Sequence, residues 1–95
     1  MHLSEFQQHI KDRYFASDNA RGSAGTFLWF SEEVGELAHA LGQAARGKAD
    51  AENLREEFSD VLAWLTTLAN INGVDLEQAV TEKYMRADGG PKGEK

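Results

Sequence analysis

Two long amphipathic helical patterns joined by a very short connection constrain the fold of this chain more than any other feature. At about 100° per residue, an apolar stripe runs along residues 27–45 and a matching stripe runs along residues 54–68. The connection is Arg46–Asp50, in which Gly47 suits the left-handed position after a helix and Asp50 suits the N-cap of the next helix. So short a connection predicts an antiparallel helical hairpin.

Acidic residues mark one flank of each stripe, in the patterns EExxE and ExxD. They are Glu32, Glu33, Glu36, Glu57 and Asp60. Facing positions in an antiparallel pair share a constant index sum, which fixes the register once the turn is centred near Gly47. This register predicts three facing pairs, which are Glu33 with Asp60, Glu36 with Glu57, and Trp29 with Trp64.

Four carboxylates that converge on one point repel each other, by roughly 4 kcal/mol for each pair at about 4 Å and an effective dielectric near 20. Either motif alone is typical of a solvated helix face. The two motifs together, on matching flanks across a tight turn, favour a cation site. Oxygen ligands without Cys or paired His indicate Mg²⁺, or alternatively Mn²⁺, rather than Zn²⁺.

The composition narrows the class of protein and the kinds of partner. A chain of 95 residues predicts one small domain, and its formal charge of -6 argues against binding the backbone of a nucleic acid. The chain has no Cys and no apolar run that approaches the length of a membrane span. We therefore expect a cytoplasmic protein without a membrane partner. A bound divalent ion would still allow an anionic small substrate.

Helical spacing of apolar residues predicts an all-α fold with four helices around the hairpin. A polar, Gly-containing loop is expected at 16–25, a single domain over 1–87, and a mobile tail at 88–95. An apolar hairpin of this size exceeds what two short helices can cover, which predicts a homodimer or homotetramer assembled by helix packing between chains. The four predicted helices are Leu3–Phe15, Thr26–Arg46, Ala51–Asn72 and Leu76–Arg86.

The acidic motifs and their surroundings resemble a known family, the MazG-like nucleotide pyrophosphohydrolases of the all-α NTP pyrophosphatase superfamily. The similar segments are Thr26–Leu37, Asp60–Leu65, Gly73–Leu76 and Glu82–Tyr84. The resemblance implies Mg²⁺-dependent hydrolysis of a nucleoside triphosphate between its α and β phosphates, giving a monophosphate and pyrophosphate.

The same resemblance assigns roles to the acidic residues. By position, Glu33, Glu36, Glu57 and Asp60 resemble the metal ligands of the family, and Glu32 is expected to orient or deprotonate the attacking water. Some relatives continue into a Cys-rich tail that this chain lacks, so properties that depend on that tail are not expected here.

Aromatic and polar residues near the acidic flank are candidates for substrate contacts. Trp29 and Trp64 lie one turn from the expected ligands, where either can stack on a base or simply fill the core or an interface. Arg21 and Thr26 flank the expected loop and would reach phosphate if that loop closed over the site.

Residues near the expected C-terminal helix provide a second group of candidates. Lys83 and Arg86 could bind the triphosphate, or only complement the helix dipole, and Tyr84 could lie near the sugar or base. His39 forms an ExxH pattern with Glu36, and we expect it on the surface.

Two alternatives to a hydrolase stay open. One is a dimetal carboxylate redox bundle, which needs a second ExxH, and the other is a non-catalytic helical interaction module.

Overall fold

This computed structural model describes residues 1–85, and within them it shows three helices. No strand occurs within that range, so the all-α prediction is confirmed for it. Of the helices in that range, none is long and apolar enough to cross a membrane. The helices are α1 (Leu3–Ala45), α2 (Ala51–Ile71) and α3 (Leu76–Tyr84).

The turn between α1 and α2 has the predicted chemistry. Gly47 has a φ of 78°, and the following N–H, that of Lys48, donates to the carbonyl of Gln43 at 2.8 Å. This bond closes the C-terminal turn of α1 in the manner of a Schellman motif. Asp50 then caps α2, because its Oδ1 accepts the backbone N–H of Asn53 at 3.1 Å.

The predicted loop at 16–25 was wrong, because the helix continues through most of it. Ser17 donates its hydroxyl hydrogen to the carbonyl of Tyr14 at 3.1 Å, as a side chain within a helix does. Only Gly22 leaves helical geometry, with φ 79° and ψ 173°. One residue, rather than ten, therefore makes the break.

Because only one residue interrupts the helix, the described residues contain three helices rather than the four that were predicted. The two helices predicted at Leu3–Phe15 and Thr26–Arg46 are the two arms of α1, and the break at Gly22 separates them. The predicted fourth helix is α3, which ends at Tyr84 within the described range. The residue Arg86 and the predicted tail at 88–95 lie outside the described residues.

Both arms of α1 pack against α2, which accounts for most contacts between elements. From the first arm, Ile10 is buried and Gln7 Nε2 donates to Oδ1 of Asn70 at 3.0 Å. From the second arm, Thr26 and Ala40 are buried. The core consists of small and polar side chains together with one large aliphatic residue. Its buried members are Ile10, Asp18, Thr26, Ala40, Thr66, Thr67, Ala69 and Asn70.

The short helix α3 lies against the beginning of α1. Asp75 caps it by accepting the N–H of Gln78 at 3.0 Å. The N–H of Leu76 donates to Oε1 of Gln7 at 2.9 Å, and the N–H of Ser4 donates to Oε1 of Glu77 at 3.2 Å. These bonds fix α3 at the end of α1 that precedes Gly22.

Helix α2 covers only part of the apolar stripe on α1. Thr26 and Ala40 are buried and Glu33, seven residues from each, is half-buried, so this row faces α2. The neighbouring row of the stripe stays exposed: Phe27 by 56%, Val34 by 41% and Leu41 by 46%. The carboxylate of Glu33 therefore lies within the helix contact rather than on its flank. Among residues 1–85, no helix covers the row of Phe27, Val34 and Leu41.

Candidate metal centre

Three carboxylates meet where the second arm of α1 faces α2. One oxygen from each of Glu33, Glu36 and Glu57 can be chosen so that all three lie within 4.8 Å of one another. Glu33 and Glu36 are on adjacent turns of α1, and Glu57 is on α2. The two helices of the hairpin thus contribute ligand-type atoms to one point.

The aromatic pair beside the cluster shows the register of the hairpin. The rings of Trp29 and Trp64 stack with their centroids 6.3 Å apart and their planes 15° from parallel. One carboxylate oxygen of Glu36 lies within 4.8 Å of one carboxylate oxygen of Glu57. The predicted levels of these two pairs are therefore confirmed, because the short turn allows little freedom in how the helices align.

Burial and like charge both act on the cluster. Loss of solvation raises the pKa of Glu33, and the charges of Glu36, Asp60, Glu57 and Glu32 raise it further, in that order. Loss of solvation also raises the pKa of Glu57, followed by the charges of Glu36 and Asp60. Without a cation, these carboxylates hold protons more strongly than isolated ones do.

Among residues 1–85, two oxygens of the cluster find no hydrogen-bond partner. They are Oε2 of Glu33 and Oε2 of Glu57, and both atoms are buried. A buried acceptor without a donor is unfavourable, and a cation satisfies it as a hydrogen bond would. The donor set consists of carboxylate oxygens alone, which suits Mg²⁺ or Mn²⁺. The residues present therefore fit a divalent ion.

The two remaining acidic candidates lie at the edge of this cluster. Asp60 is exposed and is not among the three converging residues, although its charge acts on both Glu33 and Glu57. Glu32 is exposed as well, and its charge is one of those that raise the pKa of Glu33. Both side chains have room to turn toward a ligand beside the cluster.

Arg21 lies at the break in α1 and has three partners there. Its Nη2 donates to Oδ1 of Asp18 at 2.6 Å, and its Nε donates to Oγ1 of Thr26 at 3.0 Å. Its guanidinium carbon lies 5.1 Å from the ring centroid of Trp64. The structure thus places Arg21 and Thr26 together, spanning Gly22 and facing the aromatic pair.

Asp18 belongs to this network and was not singled out from the sequence. It is only 5% exposed, and it shares a salt bridge with Arg21. The available signal was the i, i+3 spacing of an acid and a base. The expectation of a loop at 16–25 concealed it, because that spacing brings two side chains together only on a helix.

The candidates on α3 are not brought to the carboxylates within the described range. Lys83 Nζ lies 5.2 Å from the ring centroid of Tyr84, and both residues are exposed. Arg86 lies outside that range. His39 is exposed, as predicted, and is not one of the three converging ligands. Residues 1–85 therefore show no His ligand of the kind that a redox dimetal bundle requires.

Fold and site together define a class: an all-α protein in which a helical hairpin gathers carboxylates able to hold a divalent cation. The family model described as "MazG nucleotide pyrophosphohydrolase domain" matches residues 21–88. That match covers most of the chain and includes both acidic motifs, so the chain belongs to the MazG nucleotide pyrophosphohydrolase family. No curated protein matches this chain.

Proposed function

We propose that this chain is a Mg²⁺-dependent pyrophosphohydrolase that cleaves ribo- or deoxynucleoside triphosphates between the α and β phosphates. Water adds to phosphorus as the phosphoanhydride bond breaks, which gives a nucleoside monophosphate and pyrophosphate. The observation that carries this proposal is the convergence of three carboxylates with two buried, unpartnered oxygens. Membership of the family supports the same reaction.

The proposed ligands are Glu33, Glu36, Glu57 and Asp60. An ion held there would supply positive charge for the phosphate oxygens and would help to activate water. A carboxylate must lose its proton to bind a metal ion, and the pKa values of Glu33 and Glu57 are raised, so ion binding here should strengthen as pH rises. Asp60 joins the set by a side-chain rotation, for which its exposure leaves room.

Glu32 is the proposed proton acceptor for the attacking water. It lies next to Glu33 in the chain but is exposed and is not one of the proposed ligands, so its carboxylate is free to take a proton while the ligands hold the ion. A positioned carboxylate contributes about 10²- to 10⁴-fold in such a role.

Several side chains are proposed to contact the nucleotide substrate. Trp29 and Trp64 form an aromatic surface beside the cluster, which supports a position near the base. Arg21 is held by Asp18 and faces Trp64, which supports a place near the nucleoside rather than the phosphates. Lys83 and Arg86 are proposed to bind the triphosphate, and Tyr84 is proposed to lie near the sugar or base. Because Lys83 and Tyr84 are exposed on α3, we propose that they meet the substrate held by a second copy of the chain.

We further propose a homodimer or homotetramer, in which a second copy covers the exposed apolar row of the hairpin. The exposed side chains lie on both helices, and their exposed fractions range from 40% to 56%: Phe27, Val34, Leu41, Phe58, Leu62 and Leu65. Several large apolar side chains exposed on two neighbouring helices are typical of an interface between subunits.

A pyrophosphate-release assay tests the function. Wild-type protein, Glu33→Gln and the control Glu52→Gln are compared across ribo- and deoxynucleoside triphosphates, with Mg²⁺ and with a chelator. Glu52 is an exposed acid in the first turn of α2 and lies outside the cluster. We expect release only with Mg²⁺, lost in Glu33→Gln and kept in the control. Equal release by Glu33→Gln and wild type would refute the ligand assignment.

A further inference from the structure

A cleft of about 290 Å³ lies between the first arm of α1 and α2. This volume is close to the lower end of the range, about 300–1,000 Å³, that small-molecule sites occupy. Its walls combine apolar, aromatic and charged side chains, which are Ile10, Tyr14, Ser17, Asp18, Arg21, Ala63, Trp64 and Thr67. Within the described part of the chain, none of these residues belongs to the carboxylate cluster.

One wall of the cleft holds an acceptor without a donor. Asp18 is 5% exposed, and its Oδ1 accepts the hydrogen bond from Arg21. Its Oδ2 is buried and has no hydrogen-bond partner within the part of the chain that the structure describes. Arg21 is always charged, and a carboxylate paired with it can only accept hydrogen bonds. A molecule that enters the cleft and satisfies this oxygen must bring an N–H or O–H donor.

The rest of the wall restricts how that donor approaches. The Arg21 side chain is 28% exposed and is tied to Thr26 and stacked over Trp64. A ligand therefore reaches Asp18 past these two flat groups, which favours a planar molecule. Trp29 stacks with Trp64 and is one helical turn before Glu33.

The cleft is also close to the metal centre. Trp64 lines it, and Asp60 precedes Trp64 by one turn of α2, a rise of about 6 Å. A molecule with one planar end in the cleft and an anionic end at the carboxylates would span this short distance. A nucleotide has that form.

We propose that the cleft receives the base of the substrate and that Oδ2 of Asp18 accepts an N–H from its exocyclic amino group. This inference rests on the proposed function and adds a substrate class, nucleotides whose base carries an amino group. Replacing that amino group by a carbonyl sets two acceptors against each other. Asp18 is then a specificity-determining residue.

Matched substrate pairs test the inference without any variant. The pairs dCTP with dUTP, and dATP with dITP, differ at the amino or oxo position of one ring and in whether the adjacent ring nitrogen carries a hydrogen. A hydrogen bond to a charged group is worth about 10- to 100-fold in discrimination. We expect wild-type kcat/KM to favour the amino member of each pair by that factor.

The variant Asp18→Asn separates hydrogen bonding from shape. The amide keeps an oxygen for Arg21 and places an N–H₂ donor at the other position, so the preference should shrink or reverse. Asp12→Asn is the matched control, since Asp12 is an exposed carboxylate on the same arm that accepts from Gln8 at 2.6 Å. The control should leave the dCTP to dUTP ratio unchanged.

Binding of dCMP and dUMP, followed by tryptophan fluorescence, distinguishes failure of this inference from failure of the proposed function. Hydrolysis with a ratio near one overturns the role of Asp18 and leaves the hydrolase intact. No hydrolysis, but tighter binding of dCMP than of dUMP, overturns the hydrolase and retains the cleft. Equal binding, or none, overturns the cleft. If Asp18→Asn does not fold, the wild-type ratio and binding still decide.

Discussion

Replacement of Gly22 by alanine tests the break in α1 on which the position of Arg21 depends. Gly22 has φ 79° and ψ 173°, a region that is essentially restricted to glycine and costs other residues about 1–3 kcal/mol. An added Cβ would meet no atom within 4 Å, so the cost comes from the backbone alone. We therefore expect Gly22→Ala to lower the free energy of unfolding by about 1–3 kcal/mol.

Thermal unfolding measures this effect. For a domain of this size, each kcal/mol corresponds to about 4–8 °C in Tm, and the protein concentration is held constant because assembly shifts Tm. Gly35→Ala is the matched control, since Gly35 is an exposed helical position where a Cβ also meets nothing. The control should raise stability by about 0.5–1 kcal/mol.

Asparagine sharpens the test, because it tolerates the left-handed helical region but not the extended region at positive φ. Gly22→Asn should therefore destabilise as much as Gly22→Ala. At Gly73, which has φ 67° and closes a Schellman turn with Val74 donating to Ala69 at 2.9 Å, asparagine should be better tolerated than alanine. A Gly22→Ala protein with wild-type Tm would refute the break.

Three further predictions concern charge, chemistry and assembly. In the presence of a chelator, folding raises the pKa values of Glu33 and Glu57, so the folded state binds more protons than the unfolded state. The free energy of unfolding should therefore fall as pH rises through those pKa values. Glu33→Gln should raise Tm at neutral pH, and an unchanged or lower Tm would contradict this. Glu32→Gln should lower kcat by about 10²- to 10⁴-fold, while the affinity for Mg²⁺, measured by calorimetry, stays the same. A loss of Mg²⁺ affinity as large as the loss of kcat would instead make Glu32 a ligand. Phe27→Ser should shift the mass measured by light scattering toward a single chain, and a wild-type protein already of one-chain mass would rule out the interface.

The parts of the fold that were predictable from the sequence are local or follow directly from local features. Gly47 favours positive φ because it has no side chain, and Asp50 favours an N-cap because its carboxylate accepts a backbone N–H. The structure shows both residues in these predicted roles. The levels of Trp29 and Trp64 follow from the turn, because a short connection fixes the alignment of two helices. The convergence of Glu33, Glu36 and Glu57 needed no further information.

The parts that were not predictable depend on contacts between distant residues. A segment of small and polar residues such as 16–25 favours a loop by composition, yet its helical form is held by the Asp18–Arg21 pair and by packing against α2. Arg21 was expected at a phosphate, and its stacking on Trp64 depends on how the first arm meets α2. Periodicity also predicts a stripe but not which edge of it another helix covers, as the exposed Phe27 shows.

Binding of Mn²⁺ to the resting protein, followed by electron paramagnetic resonance or calorimetry, tests the central claim most directly. The claim is that Glu33, Glu36 and Glu57 converge in order to hold a divalent cation. Wild-type protein and the Glu52→Gln control should bind Mn²⁺ with the same affinity, Mg²⁺ should compete for the site, and both Glu33→Gln and Glu57→Gln should weaken binding at least tenfold. Equal Mn²⁺ affinity in wild type and in these two variants would contradict the claim.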